Sequence, residues 1–103
     1  MTRSQLIQIL FEKQNHLSFK ETELLVKLAF DQMSFALERG NRIEIRGFGS
    51  FSVRHHPRRQ ARNPKTGKDV IKEESYTAHF KPGKELRDRV NSHAEQYPIV
   101  EEE

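Results

Sequence analysis

The chain has 103 residues, of which 34% are hydrophobic and 32% charged, with a formal net charge of +3 and no cysteine. That length holds one domain, or one domain with tails, and so small an apolar share makes oligomerisation a reasonable expectation. A disulfide framework and a thiolate metal site are excluded, no apolar stretch approaches the roughly 20 residues that span a bilayer, and the N-terminus lacks the pattern of a secretion signal.

Thr2 and Gln5 form a capping-box pattern that opens a first helix. Leu6, Ile7, Ile9, Leu10 and Phe11 give it an apolar face to about Gln14. Asn15-His16-Leu17 is a short turn. Ser18 and Glu21 form a second capping box, which opens a longer helix to about Arg39, with Gly40 as its stop. Two apolar stripes run along this helix. One is Leu25, Leu28, Ala29 and Ala36; the other is Val26, Phe30, Met33 and Leu37. One stripe is enough to pack on the first helix, and the pair makes a face too wide for that. The surplus reads as a subunit interface; the plainer alternative is a core helix covered by the following sheet.

Asn41 leads into Arg42-Ile43-Glu44-Ile45-Arg46, a period-two strand. Ile43 and Ile45 face inward, and Arg42, Glu44 and Arg46 share the outer face. Gly47-Phe48-Gly49 reads as a turn that keeps one aromatic. Ser50 to Val53 starts the next strand, which runs into a basic stretch. Arg54, Arg58, Arg59, Arg62, Lys65 and Lys68 follow with no acid until Asp69. At its far end, Arg62-Asn63-Pro64-Lys65-Thr66-Gly67 carries turn chemistry, because proline presets φ and glycine tolerates positive φ. Lys68 to about Phe80 returns. The result is a basic β-ribbon that cannot bury itself in so small a protein and should project. Cations hold phosphates and a proline at the tip can wedge between base steps, so the ribbon points to nucleic acid. The bland readings are a turn proline and a strand edge protected by charge, but six cations without an intervening acid exceed what edge protection needs.

Lys81-Pro82-Gly83 breaks the chain. Glu85 to about Asn91 is a short amphipathic helix with Leu86 and Val90 on one side. From Ala94 onward, Tyr97-Pro98-Ile99-Val100 and three glutamates read as a tail. Residues 91–103 hold Glu95, Glu101, Glu102 and Glu103 and no Lys or Arg, so removing these four negative charges takes the formal charge from +3 to +7.

The histidines offer no metal site. His55 and His56 are adjacent, so on a strand they point to opposite faces, and His16, His79 and His93 have no ligand spacing. An enzyme is equally poorly supported. No serine or threonine has a local base motif, Gly47-Phe48-Gly49 is not a phosphate loop, and the acids are not clustered as a metal-dependent nuclease requires. No catalytic residue and no cofactor is expected.

With these pieces placed, the chain resembles the bacterial histone-like DNA-binding family, which includes HU and integration host factor. Three blocks carry the resemblance in order and spacing. They are Arg42-Ile43-Glu44-Ile45-Arg46-Gly47-Phe48-Gly49-Ser50-Phe51, then Arg62-Asn63-Pro64-Lys65-Thr66-Gly67, then His79-Phe80-Lys81-Pro82-Gly83-Lys84-Glu85-Leu86-Arg87. The likeness covers roughly residues 1–93 and is greatest to beta-subunit members of the integration host factor branch.

The resemblance implies an α+β fold. A helical hairpin forms the base, a three-stranded antiparallel sheet extends a long β-ribbon arm at about 53–76, and a short C-terminal helix follows, all in an intertwined dimer. Residues 94–103 would be an acidic tail. The implied function is DNA bending, with the arms wrapped in the minor groove and Pro64 intercalated, the mechanism established for these architectural proteins. DNA contacts would come from Arg42, Glu44, Arg46, Arg54, Arg58, Arg59, Arg62, Asn63, Pro64, Lys65, Lys68, Lys81, Lys84 and Arg87. Arg46 would enter the minor groove with Glu44 orienting it, since arginine favours narrow A·T-rich grooves. Phe48, Phe51 and Phe80 would form an aromatic core at the dimer interface.

The implied partners are double-stranded DNA and an alpha-like subunit or a second copy of the chain. The implied setting is the nucleoid in the bacterial cytoplasm, in recombination, transcription and nucleoid organisation, with no membrane. The nearest alternative is an HU-like homodimer with little sequence preference. A different class is a protein-interaction scaffold that uses the wide apolar helix face, its ribbon serving only solubility. The chain departs from the family pattern in three places. His55-His56-Pro57 stands where these arms usually carry an aromatic or basic stretch, which makes the charge there pH-dependent. Ala61 takes a position often held by glycine, and the acidic tail extends past the family's usual end.

Overall fold

In the computed structural model, which describes residues 1–101, helix α1 spans Arg3–Glu12 and helix α2 spans Phe19–Glu38. Both begin on the capping boxes written in the sequence. The Thr2 N–H donates to Gln5 Oε1 at 2.8 Å, and the Gln5 N–H donates to Thr2 Oγ1 at 3.2 Å. Ser18 and Glu21 exchange the same pair of bonds, each at 3.1 Å. Such bonds satisfy backbone donors that have no partner inside the helix, and a lost cap typically costs about 1 kcal/mol.

Helix α1 stops short of the expected Gln14 because that side chain holds the turn instead. Its Oε1 accepts from the His16 and Leu17 N–H groups at 2.9 and 2.8 Å, and its Nε2 donates to the Leu17 carbonyl at 3.2 Å. Helix α2 ends as expected at Gly40. The Gly40 N–H donates to the Leu37 carbonyl and the Asn41 N–H to the Ala36 carbonyl, the paired bonds of a Schellman motif.

Three strands follow in an antiparallel sheet. Strand β1 is Ile43–Ile45, β2 is Gly49–His56 and, after the arm, β5 is Ser75–Pro82, in the order β1-β2-β5. Strands β3 (Arg59–Arg62) and β4 (Asp69–Lys72) pair only with each other. The expected ribbon is therefore two ladders rather than one. The break falls at Pro57-Arg58 and Glu73-Glu74, where proline has no N–H to give to a ladder. Helix α3, Lys84–Ser92, follows the Gly83 N–H, which donates to the Phe48 carbonyl at 2.9 Å and ties the end of β5 to the β1–β2 turn. Gly49 lies under that junction. A Cβ there would come within 2.5 Å of the Lys81 carbonyl oxygen and 2.8 Å of the Phe80 ring, so only glycine fits.

The chain has little core of its own. Among the described residues the buried side chains are Ile7, Thr22 and Val26, where α1 and α2 meet. Phe11 and Phe19 close the same hairpin edge-to-face at 5.5 Å. Leu25 is 52% exposed, and Leu28, Phe30 and Phe35 are exposed beside it. The stripe of Leu25, Leu28 and Ala29 is thus left uncovered, while of the other stripe Phe30 is exposed, Met33 and Leu37 are half-buried and Val26 is buried. The radius of gyration is 19.0 Å, against about 13 Å for a compact chain near this length. No helix among the described residues is long and apolar enough to cross a membrane. Of the expected acidic tail, Glu102 and Glu103 lie outside the described residues.

Candidate nucleic-acid interface

The register of β2 with β5 sorts side chains onto two faces. Phe51 sits opposite Phe80 and Val53 opposite Ala78. Phe80 touches Phe51 at 4.8 Å and Phe48 at 5.3 Å between ring centroids. These are the expected aromatic residues, gathered on one face, with Phe48 still 44% exposed. The opposite face pairs Ser50 with Lys81, Ser52 with His79, Arg54 with Thr77 and His56 with Ser75.

Around Ser50 and Lys81 this polar face opens into a concavity of about 610 Å³. Arg42, Glu44 and Arg46 line it from β1 and its flanks, Lys81 from β5, and Lys84 and Arg87 from α3. Two chain segments far apart in sequence thus deliver five cations to one hollow. One sequence expectation fails here. Glu44 does not orient Arg46. Its Oε1 accepts from Arg42 Nε at 3.0 Å, and Arg42 Nη2 also reaches Ser50 Oγ at 3.3 Å. Arg42 and Glu44 lie on one strand face two residues apart, while Arg46 lies past the end of β1, where the chain turns at Gly47. Among the described residues Arg46 has no ion-pair partner.

The arm holds the second group of cations. Arg54, Arg58, Arg59, Arg62, Lys65 and Lys68 are all exposed. Arg59 faces Lys72 across the β3–β4 ladder and Arg62 faces Asp69. Opposed like charges are unfavourable on their own, so the Arg59–Lys72 pair concentrates positive charge on this ladder. Lys72 was not among the residues read from the sequence; its pairing could be counted outward from the turn.

Asn63 builds the tip. Its N–H donates to the Lys68 carbonyl at 2.9 Å, its carbonyl accepts from the Gly67 N–H at 2.8 Å, and its Oδ1 accepts from the Lys65 N–H at 2.9 Å. Gly67 takes φ +69°, a conformation that favours glycine. Pro64 stands exposed inside this loop, with no bond in the loop depending on it.

At the base of the arm, sequence reasoning missed the role of two acids. Glu74 Oε2 lies 3.1 Å from His55 Nε2, and Glu73 lies 3.9 Å from Arg58 Nε. His55 also stacks against Tyr76 at 4.9 Å. His56 points the other way, with Nε2 at 2.8 Å from Thr77 Oγ1. No group of three or more His, Asp or Glu side chains among the described residues is placed to hold a metal ion.

The structure therefore collects the expected contact residues into two groups, one in the concavity and one on the arm, both on exposed surface. A family model described as bacterial DNA-binding protein matches residues 1–91. The chain is 59% identical over 92 residues to integration host factor subunit beta of Alkalilimnicola ehrlichii, a match covering 89% of this chain and 92% of that protein. It is 57% identical over 96 residues to integration host factor subunit beta of Thioalkalivibrio sulfidiphilus, covering 93% of this chain and all of that protein. Its fold is similar to that of HU in an Anabaena HU–DNA cocrystal structure, with a TM-score of 0.76 and 27% identity over 87% of this chain and 97% of that one.

Proposed function

The chain belongs to the bacterial DNA-binding protein family, and from that membership we propose that it is the beta-type subunit of an integration-host-factor-like heterodimer that bends DNA through the minor groove. The arm carries this reading: β3 and β4 lie outside the three-stranded sheet, bear exposed cations and end on exposed Pro64. Cations along the arm neutralise phosphates and release counterions, which supplies affinity. Pro64 enters a base step and unstacks it. Kinks of this type run from roughly 20 to 90 degrees and cost a few kcal/mol per step, which the added phosphate contacts offset. Arg42, Lys81, Lys84 and Arg87 hold the duplex in the concavity between the arms. Arg46 reaches the groove, and selectivity arises mostly from groove shape and deformability.

A second chain completes the fold. The uncovered stripe of α2 and the half-open cluster of Phe48, Phe51 and Phe80 become a shared core. The names of these relatives support an alpha-like subunit as that second chain. Residues 1–93 are the bending domain, with the arm at about 53–76, and 94–103 are an appended acidic tail. The protein works at the nucleoid in the bacterial cytoplasm, and no step calls for a catalytic group or a cofactor.

An HU-like homodimer is the second reading, favoured by the likeness to Anabaena HU. Co-purification from the native cell, followed by energy transfer between labelled duplex ends, separates the two. The heterodimer reading expects an alpha-like subunit to co-purify and the pair to bend DNA. A chain that is stable and fully active alone overturns it in favour of the homodimer. Absence of salt-dependent DNA binding overturns both and leaves the scaffold reading.

A further inference from the structure

We infer that His56 and His79 belong to the DNA-contacting surface and make its affinity depend on proton uptake, an inference that rests on the DNA-bending reading above. The β2–β5 register places Ser52 opposite His79 and His56 opposite Ser75. Residues opposed across a ladder share a face, as do residues two apart on one strand. His79 therefore lies on the face of Lys81, two residues along β5, and His56 lies on the face of Arg54, two residues along β2. Lys81 lines the concavity, so the two imidazoles continue that surface toward the base of the arm. His55 falls on the phenylalanine side.

The charges around the rings separate them further. His55 has its own acid, Glu74, at 3.1 Å. The cations on the side of His56 and His79 are Lys81 on β5, Arg54 on β2 and Arg42 beside β1, and Arg59 on β3 and Lys72 on β4 line one hollow with His56. The acids there are Glu44 and Glu73, each held by an arginine. Among the described residues, neither His56 nor His79 has a carboxylate partner. A phosphate backbone supplies the negative partner that the chain itself does not place beside either ring. Imidazole changes charge between about pH 5 and 8, so binding near neutrality takes up protons and tightens as the pH falls. An imidazolium that neutralises one phosphate steepens the slope of log K against log salt by about 0.9.

The test is a salt titration of random-duplex binding at about pH 6 and about pH 8, using the assembled dimer and circular dichroism as the folding check. The parent slope should be steeper at the lower pH by up to about 1.8 for each copy of this chain. His56→Gln with His79→Gln should remove that difference, each single variant should remove part of it, and His55→Gln should leave it intact. The proposal is overturned by a pH difference that survives the double variant, by one lost in His55→Gln, or by none in the parent. If the parent binds with a steep slope that is equal at the two pH values, the DNA reading stands and only the proton linkage fails. If the parent does not bind DNA at either pH, the DNA reading itself fails.

Discussion

Glu44 accepts a hydrogen bond from Arg42 at 3.0 Å, and this pairing leaves Arg46 to act separately at the edge of the concavity. Both members of the pair are well exposed, so the pair itself contributes little to stability. Its consequence is a division of labour between the two arginines. Arg46→Ala should lower the preference for a bendable A·T-rich site over random DNA by roughly 1 kcal/mol or more, and should weaken random-DNA binding less. Glu44→Ala frees Arg42 and removes a negative charge, so it should tighten binding to both DNAs alike. Competition binding at fixed salt measures both; equal losses on the two DNAs in Arg46→Ala would reduce Arg46 to a phosphate contact.

Pro64→Ala should leave the fold intact and reduce the bend. Asn63, not Pro64, makes the bonds that close the tip, so the loop survives the substitution while the wedge is lost. Energy transfer between duplex ends at saturating protein reports the bend, with circular dichroism as the folding check. An unchanged bend would rule out intercalation by Pro64.

Gly49→Ala should destabilise the fold. The new Cβ would press on the Phe80 ring and on the Lys81 carbonyl oxygen, and that backbone cannot move without disturbing the β2–β5 ladder. Overpacking of this kind typically costs about 1–3 kcal/mol, a sizeable fraction of the roughly 5–15 kcal/mol that holds a domain folded. Thermal unfolding of the assembled dimer checks it. A melting temperature equal to the parent's would mean that the junction yields more easily than the contacts indicate.

The second capping box makes stability depend on pH. Hydrogen bonds from the Ser18 backbone N–H and then from its side chain hold the Glu21 carboxyl below its ordinary value of 4.5. A carboxyl with a lowered folded-state value stabilises the fold above its unfolded value and loses that contribution as the pH falls through the folded one. Glu21→Gln should therefore lower stability at neutrality, where the carboxylate's contribution is present, and approach the parent below about pH 4.5, which flattens the pH dependence. Denaturant midpoints measured from neutral pH downward would show this as a flatter profile than the parent's; superimposable profiles would remove Glu21 from the acid response.

Removing residues 95–103 should tighten nonspecific DNA binding at low salt. The deletion takes the formal net charge from +3 to +7. The gain should vanish at high salt, because exposed charges are screened within roughly 8–10 Å at physiological ionic strength. If the tail competes with DNA for the basic surface, it also slows association, and glutamine in place of Glu101, Glu102 and Glu103 reproduces the deletion. Salt titrations of the parent, truncated and glutamine-substituted dimers compare the three. Coincident curves would leave the tail without a role in DNA binding.

The sequence by itself determined what short stretches of backbone chemistry decide. The two capping boxes, the stop at Gly40, the alternation around Ile43 and Ile45 and the turn at Asn63–Gly67 each close within a few residues, so no distant contact can change them. The width of the α2 apolar face was equally legible, because helical spacing alone sets which residues share a stripe. Other features depended on what lies across a ladder. Arg42 and Arg46 stand symmetrically about Glu44 in the sequence, and only the end of β1 at Ile45 and the approach of Ser50 assign Glu44 to Arg42. Pro57 signals trouble for a ladder, but Glu73 and Glu74 had to arrive opposite it before the arm divided from the sheet. Alternation says that His55 and His56 point opposite ways and not which way is out. Phe80 settles that from the far strand, because a register shifted by one residue would exchange the two faces.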